Sequence, residues 1–201
     1  IYSVYQENSG ILWFTIDVGI VRHDSKSFQL FNTEDGLSDN EVFRMKKDHK
    51  GRVWFLTSNG KPSFYYKGKI YNNTNSSLLK KITSNGFIVD LIEDKKNTIY
   101  LAFKSGEVYK INTSNKIKLL KNHTNSLFGI WLHNDILFGI ESRSLYNFNT
   151  KQVKSVQSIL PFRVYNSNNE TYVNTFNQIF TIQKNKLIPY LTLKESTEII
   201  H

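Results

Sequence analysis

A repeat of about forty residues constrains this chain more than any other feature. The segment GILWFTIDVGIVRHD (Gly10 to Asp24) lies over GRVWFLTSNGKPSFY (Gly51 to Tyr65) with a shift of 41, as the two tryptophans show (54 − 13 = 41). The residues upstream align without gaps: Ile1 on Val42, Val4 on Met45, Glu7 on Asp48 and Gly10 on Gly51. A third unit, Phe87 to Asn112, continues the series with Ile88, Leu91, Asp94 and Tyr100, a further 46 residues on (100 − 54 = 46). The fourth (Ser126 to Asn149) and fifth (Phe162 to Gln183) keep the hydrophobic pattern and shorten the first turn. Leu137 and Tyr172 stand at their ring positions, 37 and 35 residues on (137 − 100, 172 − 137).

Periods in this range belong to solenoids and propellers. Helical repeats would show a sustained 3.6-residue pattern with caps, and none is present. Short apolar runs separated by turns point instead to four-stranded antiparallel blades. The expectation is an all-β chain, a β-propeller segment over 1–201, with units at about 1–40, 41–86, 87–125, 126–161 and 162–201. In unit two the strands are expected at Val42 to Lys47, Val53 to Thr57, Ser63 to Tyr66 and Lys69 to Tyr71. Asn72 to Asn85, Asn- and Ser-rich without an apolar period, reads as a long loop from the outer strand of one blade to the inner strand of the next.

A chain of 201 residues can bury roughly 70% of its unfolded surface, enough for a real core. Fourteen Phe, 11 Tyr and 3 Trp favour strands, where rings pack well on a pleated surface. Without cysteine no disulfide framework or thiolate metal site can form. No apolar run reaches the roughly 18 residues that span a bilayer, so no direct membrane insertion is expected of this segment. Ile1 is not a start methionine, and the sequence reads as an excised soluble segment. The net charge of +9 raises nucleic acid as a partner. Its lysines are scattered through turns, with no Arg-rich helix or reader motif, and the charge reads as solvated surface.

Units one and two carry an inner run ending in Asp/Glu, then x-x-Gly-x-Val/Leu-Trp-Phe-x-Thr, x-x-Gly, an Arg-x-Asp tail, a Phe, and Asp-Gly-Leu-Ser-x-Asn into the next unit. The residues concerned are Gly10, Trp13, Thr15, Gly19, Arg22, Asp24, Phe28, Asp35, Gly36, Leu37, Ser38, Asn40, Asp48, Gly51, Trp54, Thr57 and Gly60. This pattern resembles the two-component regulator propeller repeat; units three to five are degenerate copies. The resemblance implies the extracytoplasmic sensor part of a membrane histidine kinase of the Bacteroidetes type, LytS-like or hybrid. No kinase motif lies in this segment.

The repeat residues have physical tasks of their own. The Asp48-x-x-Gly51 and Glu7-x-x-Gly10 turns pair an acceptor side chain with a Gly suited to positive φ. Trp13 and Trp54 are expected to fill wedges between neighbouring blades. Leu37 is expected in the core, and Arg44 and Asp90, at one repeat position, to bridge adjacent blades or line the channel mouth.

The five histidines show no ligand spacing, and no phosphate loop, nucleophile elbow or matched carboxylate pair occurs. No catalytic residue, metal site or cofactor is assigned. A ligand would meet the loops that enter the inner strands and those that join strands two and three. Asp17, Asp39, Asn40, Lys104, Arg143 and Asn177 fall there, a mixture suited to a polar small molecule or oligosaccharide.

The leading functional expectation is a ligand-sensing, signal-relaying propeller segment in the periplasm, non-catalytic, acting on following domains of the same receptor. The alternatives are a protein-interaction or adhesion scaffold and, more weakly, a polysaccharide-acting enzyme. Five units leave three arrangements open: a longer propeller in which Ser196 to His201 begins a sixth inner strand, a ring closed by five blades, or a homodimer that completes one ring.

Overall fold

The structure is a computed structural model that describes residues 1–84, 86–121, 126–141, 144–151, 153–155, 163–167, 170–175, 178–183 and 186–192. The chain divides into two compact units, Ile1–Thr124 and Asn125–His201. The first holds three sheets. Blade 1 is β1 (Ser3–Gln6), β2 (Leu12–Ile16), β3 (Gly19–His23) and β4 (Phe28–Phe31). Blade 2 is β5 (Val42–Lys47), β6 (Val53–Thr57), β7 (Ser63–Tyr66) and β8 (Lys69–Tyr71), as the sequence led one to expect. Blade 3 is β9 (Ile88–Glu93), β10 (Ile99–Phe103), β11 (Val108–Ile111) and β12 (Ile117–Lys121). In every sheet each strand pairs with its sequence neighbour, giving an antiparallel meander.

Side-chain alternation along a strand explains how blade 2 is buried on both faces. Val53 and Phe55 point into a core with Trp13, Ile20 and Phe31 of blade 1, closed by Leu37. Trp54 and Leu56 point the other way, against Leu91, Leu101 and Phe103 of blade 3. Trp13 and Trp54 are fully buried in these two wedges. Trp13 meets Tyr65 edge-on at 4.9 Å between ring centroids. Arg44 reaches Asp90 across the inner strands at 3.5 Å, and Lys46 joins the same carboxylate at 3.0 Å.

The connection between blades 2 and 3 differs from the slack loop expected over Asn72 to Asn85. Leu78, Leu79 and Ile82 are buried in the second wedge, around a short 3-10 turn at Leu79–Lys81. Three apolar residues on a turn of tight pitch are too few to register as a period, yet they plug the wedge much as Leu37 plugs the first. Asn85 lies outside the described residues.

The second unit holds blade 4, β13 (Leu127–His133), β14 (Ile136–Glu141), β15 (Ser144–Asn147) and β16 (Val153–Ser155). Blade 5 is β17 (Arg163–Ser167), β18 (Glu170–Asn174), β19 (Gln178–Gln183) and β20 (Lys186–Thr192). Trp131, Phe138, Ile140, Leu145, Val173 and Phe180 form the core between them. The terminal stretch Ser196 to His201 lies outside the described residues.

Candidate functional site

In the first unit the loops entering the inner strands and the β2–β3, β6–β7 and β10–β11 turns meet on one face. Asn32 opens a capping box: its Oδ1 accepts from the Glu34 amide at 2.7 Å, and its own amide donates to Asp35 at 2.9 Å. The chain then turns through Gly36, whose carbonyl accepts from Asn72 Nδ2 at 2.9 Å. This delivers Ser38, Asp39 and Asn40 to the start of β5.

Each of these side chains is engaged in holding the face together. Asp39 accepts from the Glu41 amide at 3.1 Å, Ser58 Oγ at 2.8 Å and the Asn59 amide at 3.2 Å. Asn40 Oδ1 accepts from the Thr33 amide at 3.0 Å. Asn59 Nδ2 donates back to the Ser38 carbonyl at 2.6 Å, and both Ser38 and Thr57 donate to the Lys61 carbonyl. Gly60, at φ 72°, lies so close to Gly86 that a Cβ there would sit 2.1 Å from the Gly86 carbonyl oxygen. The β6–β7 turn is thus pressed onto the chain entering blade 3.

Lys104 stands on the β10–β11 turn, its amide bonded to the Phe87 carbonyl at 2.9 Å. Partial burial pushes its ammonium below the usual lysine range. Beside it Ser84, Ser105 and Glu107 share hydroxyl–carboxylate bonds. Asp17, on the β2–β3 turn, accepts from the Tyr2 hydroxyl at 2.6 Å. Of the six expected ligand residues, Asp17, Asp39, Asn40 and Lys104 therefore stand on the loops of this face. Arg143 and Asn177 lie outside the described residues.

The opposite ends of the blades carry a second polar system. Asp48 accepts from the amides of Lys50 and Arg52, from Arg52 Nε at 2.6 Å and from Trp54 Nε1 at 2.7 Å. Asp94 does the same for Lys96 and Thr98, and takes the Tyr100 hydroxyl at 3.1 Å. Glu7 departs from the expected turn cap: its carboxylate takes Trp13 Nε1 at 2.8 Å and the Lys47 ammonium of blade 2. The link from turn acid to ring six residues on was not foreseen, though the acid and the ring recur together in three units. Lys50 then reaches the Thr113 carbonyl and Asn115 of blade 3, and His49 pairs with Glu93. These ends are stitched blade to blade.

Sequence reasoning also missed Tyr2 and Phe43, which are 53% and 45% exposed on the loop face. The alignment of Ile1-Tyr2 over Val42-Phe43 was the available signal.

Residues 36–59 match the family model described as two component regulator propeller. This stretch is such a repeat. No curated protein matches the chain by sequence. Among solved structures, the extracellular domain of BT4673 from B. thetaiotaomicron superposes with a TM-score of 0.70 at 18% identity. It aligns over 95% of this chain and 27% of its own, in a structure describing it as a one component system. A second structure, describing BT4673 as a hybrid two component system, gives 0.55 at 14% identity over 96% of this chain and 36% of its own. The C-terminal WD40 domain of Sif2 gives 0.62 at 10% identity, over 98% of this chain and 72% of that one. The fold is therefore that of β-propeller blades. The chain spans about a quarter to a third of the BT4673 domains it resembles. No helix among the described residues is long and apolar enough to cross a membrane.

Proposed function

We propose that the chain is a sensor segment of a membrane-bound bacterial receptor, placed outside the cytoplasm, with the parent a histidine kinase. The observation that carries this reading is the two component regulator propeller repeat at residues 36–59, set in blades like those of extracellular domains from such systems. The segment takes a polar small molecule or oligosaccharide on its loop face and performs no chemistry of its own. Ligand contacts come from the loops of Asp17, Asp39, Asn40 and Lys104. Asp39 crosslinks two loops, so a ligand that recruits its carboxylate loosens the contact between them. That coupling gives a binding event a route into blade packing, and from there to the following domains or a second receptor chain.

Two measurements test the proposal. The open reading frame that encodes this chain is expected to encode a transmembrane span and a kinase module, and a frame with neither overturns the receptor reading. Calorimetric titration with a panel of polar glycans should give a ligand whose affinity falls at least about tenfold, about 1.4 kcal/mol, in Lys104→Ala at unchanged melting temperature. Binding that survives this substitution removes Lys104 from the site, and turnover of any glycan overturns the non-catalytic assignment.

A further inference from the structure

Tyr2 and Phe43 are large rings that the blade cores do not use. Strand register places Phe43 at an irregularity of its blade. In blade 2, Val42 faces Thr57 and Arg44 faces Leu56, so Phe43 is the extra residue of a β-bulge. Bulges re-aim a side chain and break pairing where they occur. The same irregularity recurs at Val89, between Ile88 and Asp90 of blade 3, and at Phe128 in the second unit. In blade 1, Tyr2 holds the corresponding place just before Ser3, which pairs with Thr15. Val89 is buried, so the bulge does not by itself force exposure. Tyr2 and Phe43 meet edge-to-face at 6.1 Å and 69°, with half of each side chain open to solvent.

The charges that act on the Tyr2 phenol are of one sign. Asp17 holds the Tyr2 hydroxyl at 2.6 Å. That hydrogen bond and the Asp17 charge raise the phenol above its ordinary range, with burial and the Glu41 charge adding to the effect. Glu41 is thus close enough to act on the phenol. The ion pairs among the described residues engage Asp24, Asp90, Glu7, Glu93 and Asp48. None places a lysine or arginine on Asp17, Asp39 or Glu41. In a chain of net charge +9, a patch of half-exposed rings with carboxylates unpaired by lysine or arginine is complementary to a positive group.

We propose that this mouth binds a small organic cation, an alkylammonium or quaternary ammonium group seated on Tyr2 and Phe43 with Asp17 and Glu41 as its counter-charges. A neutral sugar would gain only stacking and hydrogen bonds here, whereas a cation gains the ring quadrupoles and the carboxylate field together. The inference rests on the reading of the loop face as the ligand face and names a class of ligand for it.

The test is titration of the full 201-residue chain with choline and with its neutral isostere 3,3-dimethyl-1-butanol, followed by NMR shifts of the ring resonances at fixed ionic strength. Choline is expected to bind and the isostere to bind more weakly. Phe43→Leu, which keeps an apolar side chain but removes the π face, should weaken choline about two- to fivefold and leave the isostere unchanged. Asp17→Asn should weaken choline and flatten its salt dependence. Equal binding of choline and isostere, or choline binding indifferent to Phe43→Leu, overturns the proposal. A neutral disaccharide that shifts the same resonances where choline does not would also overturn the cation assignment, and would leave the sensor reading standing. A reading frame without span or kinase would do the reverse.

Discussion

Two turns at the same place in the repeat show how far a blade can depart from its pattern and still close. In blade 2 the turn from Asp48 to Arg52 is built around one carboxylate that receives two amides, a guanidinium and an indole N–H. In blade 4 the corresponding connection is only Asn134 and Asp135, with φ of 49° and 59°, the left-handed pair of a tight hairpin. Leu137, the ring position of the repeat alignment, is buried, but the ring that faces the following blade is its neighbour Phe138, which stacks on Trp131 at 5.5 Å in the core with Val173 and Phe180. An aromatic turned toward the following blade is thus what blades 1, 2 and 4 share. The buried clasp is an addition, which blade 2 uses to join Arg52 and Lys50 to Asn115 of blade 3.

Removing the clasp carboxylate should give the largest difference between the two turns. Asp48→Ala leaves Arg52 buried without its partner and Trp54 Nε1 without its acceptor, and breaking a buried pair in this way costs about 3 to 5 kcal/mol. Asp135→Ala in blade 4, at an exposed tip, loses only the tolerance of Asp for left-handed backbone and should cost about 1 kcal/mol. Urea denaturation of both variants measures the contrast, and equal effects would show that the clasp is dispensable.

The repeat made the blades legible because each blade needs an apolar alternation and a turn at fixed places. Trp13, Trp54, Leu37 and the Arg44–Asp90 bridge could be read from aligned positions for that reason. The wedge plug at Leu78, Leu79 and Ile82 could not, because a single turn of helix has no period and its asparagine-rich surroundings mask it. The loop face was legible in outline only. Asp39 and Asn40 sit where expected, but which loop atoms they hold depends on two loops meeting, and no local pattern encodes that meeting. Tyr2 and Phe43 were obscured for a related reason: a bulge breaks the two-residue alternation from which facing is inferred.

Leu79→Ala tests whether the plug does for the second wedge what Leu37 does for the first. A fully buried leucine truncated in this way costs about 2 to 5 kcal/mol, and Leu37→Ala should fall in the same range. A value near zero for Leu79 would return the segment to slack loop. The glycines give a smaller, sharper comparison. Gly60→Ala meets both a positive φ and the Gly86 carbonyl, and should cost more than the roughly 1 to 2 kcal/mol of the left-handed conformation alone. Gly10→Ala has φ 86° but open space around its Cβ, and should cost no more than that. If thermal melts rank them equally, the contact between the β6–β7 turn and the approach to blade 3 is not rigid.

The smallest effect is a dependence on pH, at the Glu7–Lys47 link between blades 1 and 2. Burial works against ionisation of Glu7, but the Lys47 ammonium and the Trp13 indole N–H outweigh it and hold the carboxyl below its usual range. A group whose folded pKa lies below its unfolded value contributes stability above the unfolded value and loses it as pH falls through the folded one. The Glu7–Lys47 link between blades 1 and 2 should therefore be fully present near neutrality and disappear in acid, below the ordinary glutamate range of about 4.3. Glu7→Gln keeps a hydrogen-bond acceptor for Trp13 and removes the charge. Its stability deficit, measured by urea denaturation, should be constant above roughly pH 6 and shrink toward pH 3. A deficit that does not change with pH would mean that the packing of the side chain, and not its charge, joins the two blades at this end.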